Sequence, residues 1–367
     1  MVIRIHASMP LNRRQFLGLS GSGVAGLFLS KYWPANLARS STQSPLSVLP
    51  RGEQRIALIS DLNSSYGSTV YLPQVYRGLE LLLSMQPDLV LCGGDMVAGQ
   101  KLGLSSKQLD AMWSAFDRNL LSPIRAAEEP FAPTMGNHDA SSSRGKSGYI
   151  FELDRLHAEK FWRSHQQTLG LRFVDASQFP FRYSIRHGDV FVLFVDASSA
   201  SISAADWTWA ENQLAGSASS QALLRLVVGH LPPYAITKGR DRAGEVLSEP
   251  MRLRQLLDHH NVHLYISGHH HAWYPSRVGK TNLLSLGAMG SGPRQRLNDR
   301  KSPQQTITIL DLFRGEGEIV ETTIELNSLK ILSAKQLPSS LQPSFGPKLN
   351  LRSTKINLNS DNTSINS

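Results

Sequence analysis

Met135-Gly136-Asn137-His138-Asp139 closes an apolar run that starts at Phe131, and its reading sets the reading of the whole chain. A β-type run ends, a glycine lets the backbone turn sharply, and three polar side chains follow at once. The same grammar recurs four more times. Ile59-Ser60 runs into Asp61, Leu91-Cys92-Gly93-Gly94 into Asp95, Val228-Gly229 into His230, and Ser267-Gly268 into His269-His270-His271. Carboxylate, carboxamide and imidazole are donors that hard or borderline cations take. In open α/β sheets the carboxyl ends of strands converge on one crevice, so five such ends predict one site.

Between these ends, apolar runs alternate with helical patterns. Strands are expected over 55–60, 88–92 and 131–135, and helices over 72–85, 106–119 and 156–167, which is βαβ grammar. Phe181 to Ile185 and Val190 to Val195 flank His187-Gly188-Asp189 as a hairpin, where a second sheet begins. A helix near 205–214, strands at 223–228 and 262–267 with a helix between them, and β-runs at 282–285, 306–310 and 319–324 complete the body. The expected fold is an α/β sandwich, two central β-sheets flanked by helices.

Composition narrows the classes. Of 367 residues, 41% are hydrophobic and one is cysteine, which excludes a wholly disordered chain and a disulfide scaffold. The net charge of +9 lies at the ends: residues 1–51 carry six basic side chains and no acid, and residues 326–367 carry five against Asp361. The body, 52–325, is close to neutral, so nucleic-acid binding, other than of a substrate, is not expected. Residues 326–367, rich in Ser, Asn, Lys and Pro and without sustained periodicity, read as a flexible low-complexity tail.

The five blocks, in this order, resemble the calcineurin-like metallophosphoesterase superfamily, whose motifs are D-x-H, GD, GNH[DE], a lone H after a strand, and GHxH. The resemblance spans about residues 52–310 and implies a calcineurin-like sandwich and a phosphoesterase or phosphatase activity. By motif position it implies that Asp95 bridges two di- or trivalent metal ions (Mn, Fe or Zn). One would also take Asp61, Asn63 and His271, and the other Asn137, His230 and His269. Such a pair can share a hydroxide that attacks phosphorus. His138 would donate a proton to the leaving group, with Asp139 holding its ring. Asp rather than Glu after that histidine tilts the implied substrate, a small-molecule phosphoester, toward diesters.

Asn63 stands where the family usually has histidine; its neutral amide oxygen is a harder, weaker ligand, which shifts that site toward Mn²⁺, Fe or Mg²⁺. His259, His260 and His263 read as solvated or capping residues, His270 as pointing away from its two neighbours, Asp196 as a turn residue and Cys92 as core. Two loops, 141–146 and 238–242, carry cations that could meet phosphate.

Asn12-Arg13-Arg14-Gln15-Phe16-Leu17 precedes an uncharged run to Ser30 and resembles a twin-arginine export signal. Export by that machinery would place the protein in the periplasm or outside the cell; an uncleaved signal would anchor it in a membrane. The leading expectation is an exported dimetal phosphoesterase. A metal- or ligand-binding module on the same fold, weakened by Asn63, and an envelope structural protein stand as alternatives.

Overall fold

The computed structural model describes residues 49–290 and 292–358. Strand β1 (Gln54–Ile59) pairs in parallel with β2 (Leu89–Cys92), and β2 with β3 (Phe131–Pro133). These strands are buried almost throughout, which is why they read as continuous apolar runs and not as alternating ones. β4 (Arg144–Gly145) and β5 (Gly148–Tyr149) form a small hairpin. β6 (Phe173–Gln178), β7 (Arg182–His187) and β8 (Val190–Phe194) form an antiparallel meander, with Gly188 at φ +56° in the predicted turn. β9 (Leu224–Val228) and β10 (Leu264–Ser267) then add in parallel.

β11 (Tyr274–Val278) and β12 (Thr281–Ser285) form a hairpin that joins β10 through β12. β13 (Thr306–Phe313) and β14 (Glu318–Glu325) return to the first sheet, where β13 lies antiparallel to β1. With β15 (Ser340–Leu341), β16 (Leu349–Leu351) and β17 (Lys355–Asn357), the described residues form two large sheets. Their orders are β17-β14-β13-β1-β2-β3 and β15-β16-β11-β12-β10-β9-β8-β7-β6. The expected two-sheet α/β sandwich is the observed fold.

The crossovers are helical. α1 (Pro73–Met85) starts on proline, whose missing N–H is no loss in a first turn, and buries Val75, Leu79 and Leu82 at helical spacing. α2 (Ser106–Phe116) opens with a Ser105–Gln108 capping box and runs through a π-helical turn, Asp117–Leu121, into α3 (Ser122–Ala126). α4 (Asn137–Ala140) is one turn, and α5 (Glu152–His165) starts four residues before its predicted origin. α6 (Ala204–Ala215), α7 (Ser217–Ser220) and α8 (Pro250–His259) serve the second sheet.

Residues 326–358 correct one expectation, because they are not a flexible tail. β16 pairs with β11 in one sheet and β17 with β14 in the other; Leu341 and Leu349 are fully buried, and Arg352 meets Glu321 at 2.8 Å in the interior. Strands of two or three residues are too short to show a period, and their partners come from the body. The described residues fall within one compact unit, with no boundary near 325. The twin-arginine stretch lies outside the described residues. Among the described residues, no helix is long and apolar enough to cross a membrane.

Candidate metal centre

The ends of β1, β2, β3, β9 and β10 are stitched together by backbone hydrogen bonds. Asp61 N donates to Gly94 O at 2.9 Å, Leu62 N and Asn63 N to Asp95 O at 2.8 and 3.1 Å, and Gly268 N to His230 O at 3.0 Å. The sheets meet where His269 N lies 3.2 Å from both Asp61 carboxylate oxygens and His230 Nδ1 lies 2.7 Å from Gly93 O. Two motif glycines are required by contact: a Cβ at Gly136 would stand 2.1 Å from Asp95 Oδ1, and one at Gly268 2.7 Å from Asp61 Oδ2.

Four candidate ligands occupy the left-handed region: Asp61 at φ +55°, Asp95 at +58°, His269 at +63° and His271 at +52°. That conformation costs an L-residue roughly 1–2 kcal/mol, and Asp and His tolerate it better than most. Here the surrounding hydrogen bonds offset the strain and aim the side chains into one space.

The predicted residues converge. His271 Nε2 lies 3.2 Å from Asp61 Oδ1, and His230 Nε2 lies 3.4 Å from Asp95 Oδ2 and 2.9 Å from Asn137 Oδ1. His269 Nδ1 faces Asn137 Oδ1 at 2.8 Å. Asn63 is buried two residues beyond Asp61. His138 is half-buried, with Nδ1 3.1 Å from Gly99 O and Nε2 3.9 Å from Asp95 Oδ2.

Charge explains the protonation. Burial works against the Asp95 carboxylate, yet His230 and His138 hold its pKa well below the usual carboxylate range. Asp61 is likewise held low, by His271 and His230 against its own burial. Burial also disfavours a charge on His230, but Asp95 and then Asp61 overcome it and push its pKa up to about 9. Burial, and next the charge of His230, keep His269 neutral. Two fully buried carboxylates thus stay ionised because a proton on His230 answers them.

This donor set fits divalent cations. Ligand atoms of Asp61, Asp95 and His230 lie within 4.8 Å of one another, and the site's demand for positive charge is already visible at His230. A metal would displace that proton. Glu245 Oε2, 2.9 Å from His269 Nε2, can take the Nε2 hydrogen and so turn the Nδ1 lone pair toward the cluster. The opposite tautomer also has partners, since Arg240 Nη1 lies 2.7 Å from Nε2.

Asp139 corrects a second expectation: it does not hold the His138 ring. Its carboxylate accepts the N–H groups of Asp95, Met96, Val97 and Gly136 at 2.7–2.9 Å and so fixes the turn that carries Asp95. Burial and then the charge of Asp95 push its pKa up to about 7, against the Gly136 and Val97 N–H donors. The His138 ring is held by the Gly99 carbonyl and faces Tyr66 at 5.0 Å between centroids.

Sequence reading missed Glu245 and Gln100, whose Oε1 accepts Asn137 Nδ2 at 2.5 Å; both lie in loops without periodicity. The two cationic loops part company. Arg144 stacks on Tyr149 and lines a cavity of about 810 Å³ that none of the candidate ligands lines, whereas Arg240 reaches His269. Asp196 pairs with Arg155 at 2.8 Å, His263 accepts Arg225 N, and Cys92 is buried. His259 and His260 lie with Glu211 at the surface, where His260 Nε2 meets Glu211 Oε1 at 2.7 Å.

A sandwich whose parallel strand ends gather carboxylates, a carboxamide and histidines around one charge-demanding space defines a metallophosphoesterase-type protein. The family model for calcineurin-like phosphoesterases matches residues 54–273, and the chain belongs to that family. Among solved structures it is similar to PhoD, with 11% identity over 77% of this chain and 72% of that one and a TM-score of 0.53, a likeness of fold alone. It also matches GAP50, the anchor in the inner membrane complex of Plasmodium (13% identity, 83% and 90% covered, TM-score 0.45). A third match is zinc-complexed Vps29 from Entamoeba histolytica (12%, 76% and 96%, 0.36). No curated protein sequence matches the chain.

Proposed function

We propose that this protein is an exported, metal-dependent phosphoric ester hydrolase acting on phosphodiesters or phosphomonoesters. The observation that carries the reading is the pair of buried carboxylates, Asp61 against His271 and Asp95 against His230, with Asn137 beside His230. Asp61, Asn63, Asp95 and His271 would hold one cation, and Asp95, Asn137, His230 and His269 the other. Bound divalent cations polarise phosphoryl oxygens and lower the pKa of water toward neutrality.

The chain's own groups supply the rest. His138 Nδ1–H donates to Gly99 O, so the ring would act as the acid in its imidazolium form, giving the second proton, on Nε2, to the leaving oxygen. The His138 side chain is partly exposed, while the candidate ligands behind it are buried. Asp139 keeps the Asp95 turn rigid through its four N–H contacts. The reading as a weakened binding module is favoured by one observation, the amide of Asn63 at a histidine position.

The test is metal-stripped protein reloaded with Mn²⁺, assayed on a chromogenic diester and its monoester, beside Asp95→Ala. Turnover that requires metal and vanishes in the variant is expected. Full metal occupancy with no turnover of either ester would move the conclusion to the binding module. Export rests on Asn12-Arg13-Arg14-Gln15-Phe16-Leu17, and replacing both arginines by lysine is expected to retain the protein in the cytoplasm.

A further inference from the structure

Two helices of the second sheet end at the edge opposite the strand-end centre. β8, β9 and β10 are parallel neighbours, so α6, between β8 and β9, and α8, between β9 and β10, each carry the chain from the carboxyl ends of the strands back to the amino ends. Glu211 lies late in α6, His259 is the last residue of α8, and His260 is its cap, just before β10 begins. β10, roughly 13 Å long, separates this edge from His269 and His271, and the two ends share no residue.

Here three side chains converge. His260 Nε2 lies 2.7 Å from Glu211 Oε1, and the His259 and His260 rings meet edge to face with centroids 4.7 Å apart. Neighbours on a continuing helix would diverge by about 100°. This helix stops instead, with His260 at φ −98°, ψ 13° and Asn261 left-handed at φ +50°, and the two imidazoles come together. One ligand atom from each of Glu211, His259 and His260 falls within 4.8 Å of the others. Among the described residues, neither ring nitrogen of His259 has a hydrogen-bond or ion-pair partner, and the Glu211 carboxylate has none besides His260. Glu211 and His259 line a groove of about 530 Å³ between α6 and α8, so an ion can reach them from solvent.

We propose that Glu211, His259 and His260 form a separate site for Zn²⁺, with a fourth position open to water. Two imidazoles and a carboxylate are a zinc donor set, and bonds of about 2.0–2.2 Å place tetrahedral ligands roughly 3.4 Å apart. The 2.7 Å contact opens to that spacing by rotation of the exposed Glu211 side chain, and His259, without other polar partners, turns its ring to match. The metal replaces the hydrogen that joins His260 to Glu211, and the last carbonyls of α8 favour its positive charge. The bound ion ties α6 to α8 and so stabilises the fold without entering the reaction. His259 and His260 become ligands, in place of the solvated or capping residues expected from the sequence.

The test uses the untagged, Mn²⁺-loaded full chain dialysed against rising Zn²⁺, with zinc plus manganese per chain read by elemental analysis and Tm by circular dichroism. His259→Ala changes an exposed residue and Glu211→Gln keeps the shape of its side chain, so both variants should fold. The wild type is expected to hold one ion per chain more than His259→Ala and to show a zinc-dependent rise in Tm that this variant lacks. Glu211→Gln should hold that ion at least about tenfold more weakly, since even the loss of a ligand's hydrogen-bond partner costs that much. Equal metal content in the wild type and His259→Ala at every zinc concentration overturns the site, as does unchanged affinity in Glu211→Gln. Because the readout is a difference between chains, it stands whether or not the strand-end centre proves hydrolytic.

Discussion

Replacing Arg352 by methionine tests whether the C-terminal segment belongs to the fold. The Arg352 side chain is 4% exposed and meets the Glu321 carboxylate, itself 1% exposed, at 2.8 Å. The other Glu321 oxygen accepts Trp273 Nε1 at 2.8 Å. Methionine keeps most of the aliphatic stem but leaves Glu321 as a buried carboxylate with a single neutral donor. Breaking a buried pair from one side costs about 3–5 kcal/mol, against a total stability of about 5–15 kcal/mol for a typical domain. Urea unfolding followed by tryptophan fluorescence should register that loss as a lower midpoint. Adding Glu321→Gln removes the stranded charge, so the double variant should be more stable than the sum of single effects by about 2 kcal/mol or more. Because Trp273 lies two residues beyond His271, heat inactivation of metal binding should follow the same order. A loss below about 1 kcal/mol in Arg352→Met would mean that the pair is solvated and the segment is not part of the core.

His270 accepts Ile236 N through Nδ1 at 3.2 Å and donates Nε2–H to Glu245 O at 3.0 Å, so His270→Ala strands a buried N–H and a part-buried carbonyl and should cost about 1–3 kcal/mol by chemical denaturation. Burial pushes the pKa of His270 down to about 3, so below pH 6.5 the unfolded chain takes up a proton that the folded one refuses. Stability should fall as pH drops from 6.5 toward 3, less steeply in His270→Gln; identical pH slopes would contradict this. Asp139→Asn puts an amide against four N–H donors, and should cost about 2–4 kcal/mol and lower bound metal, measured by denaturation and elemental analysis; an unchanged metal content would separate Asp139 from the Asp95 turn. Asn63→His should slow metal loss into chelator about tenfold, and no change would remove Asn63 from the ligand set.

The sequence by itself determined the sandwich and the nine candidate residues at the strand ends, because both depend on local signals. A strand buried on both faces must be an apolar run, and a sharp turn at its end with close backbone contact needs glycine, so Gly94-Asp95 or Gly136-Asn137-His138-Asp139 can be read without knowing what surrounds them. The tertiary structure alone decided what those residues touch. Asp139 serves the backbone of Asp95, and not His138, because the partners of a buried carboxylate are chosen by which N–H groups the fold leaves unpaired. Glu245, Gln100 and Arg240 reach the site from loops, where no period marks them. β15, β16 and β17 owe their order to strands contributed by residues 274–278 and 318–325, an interaction that no window of the tail's own sequence contains.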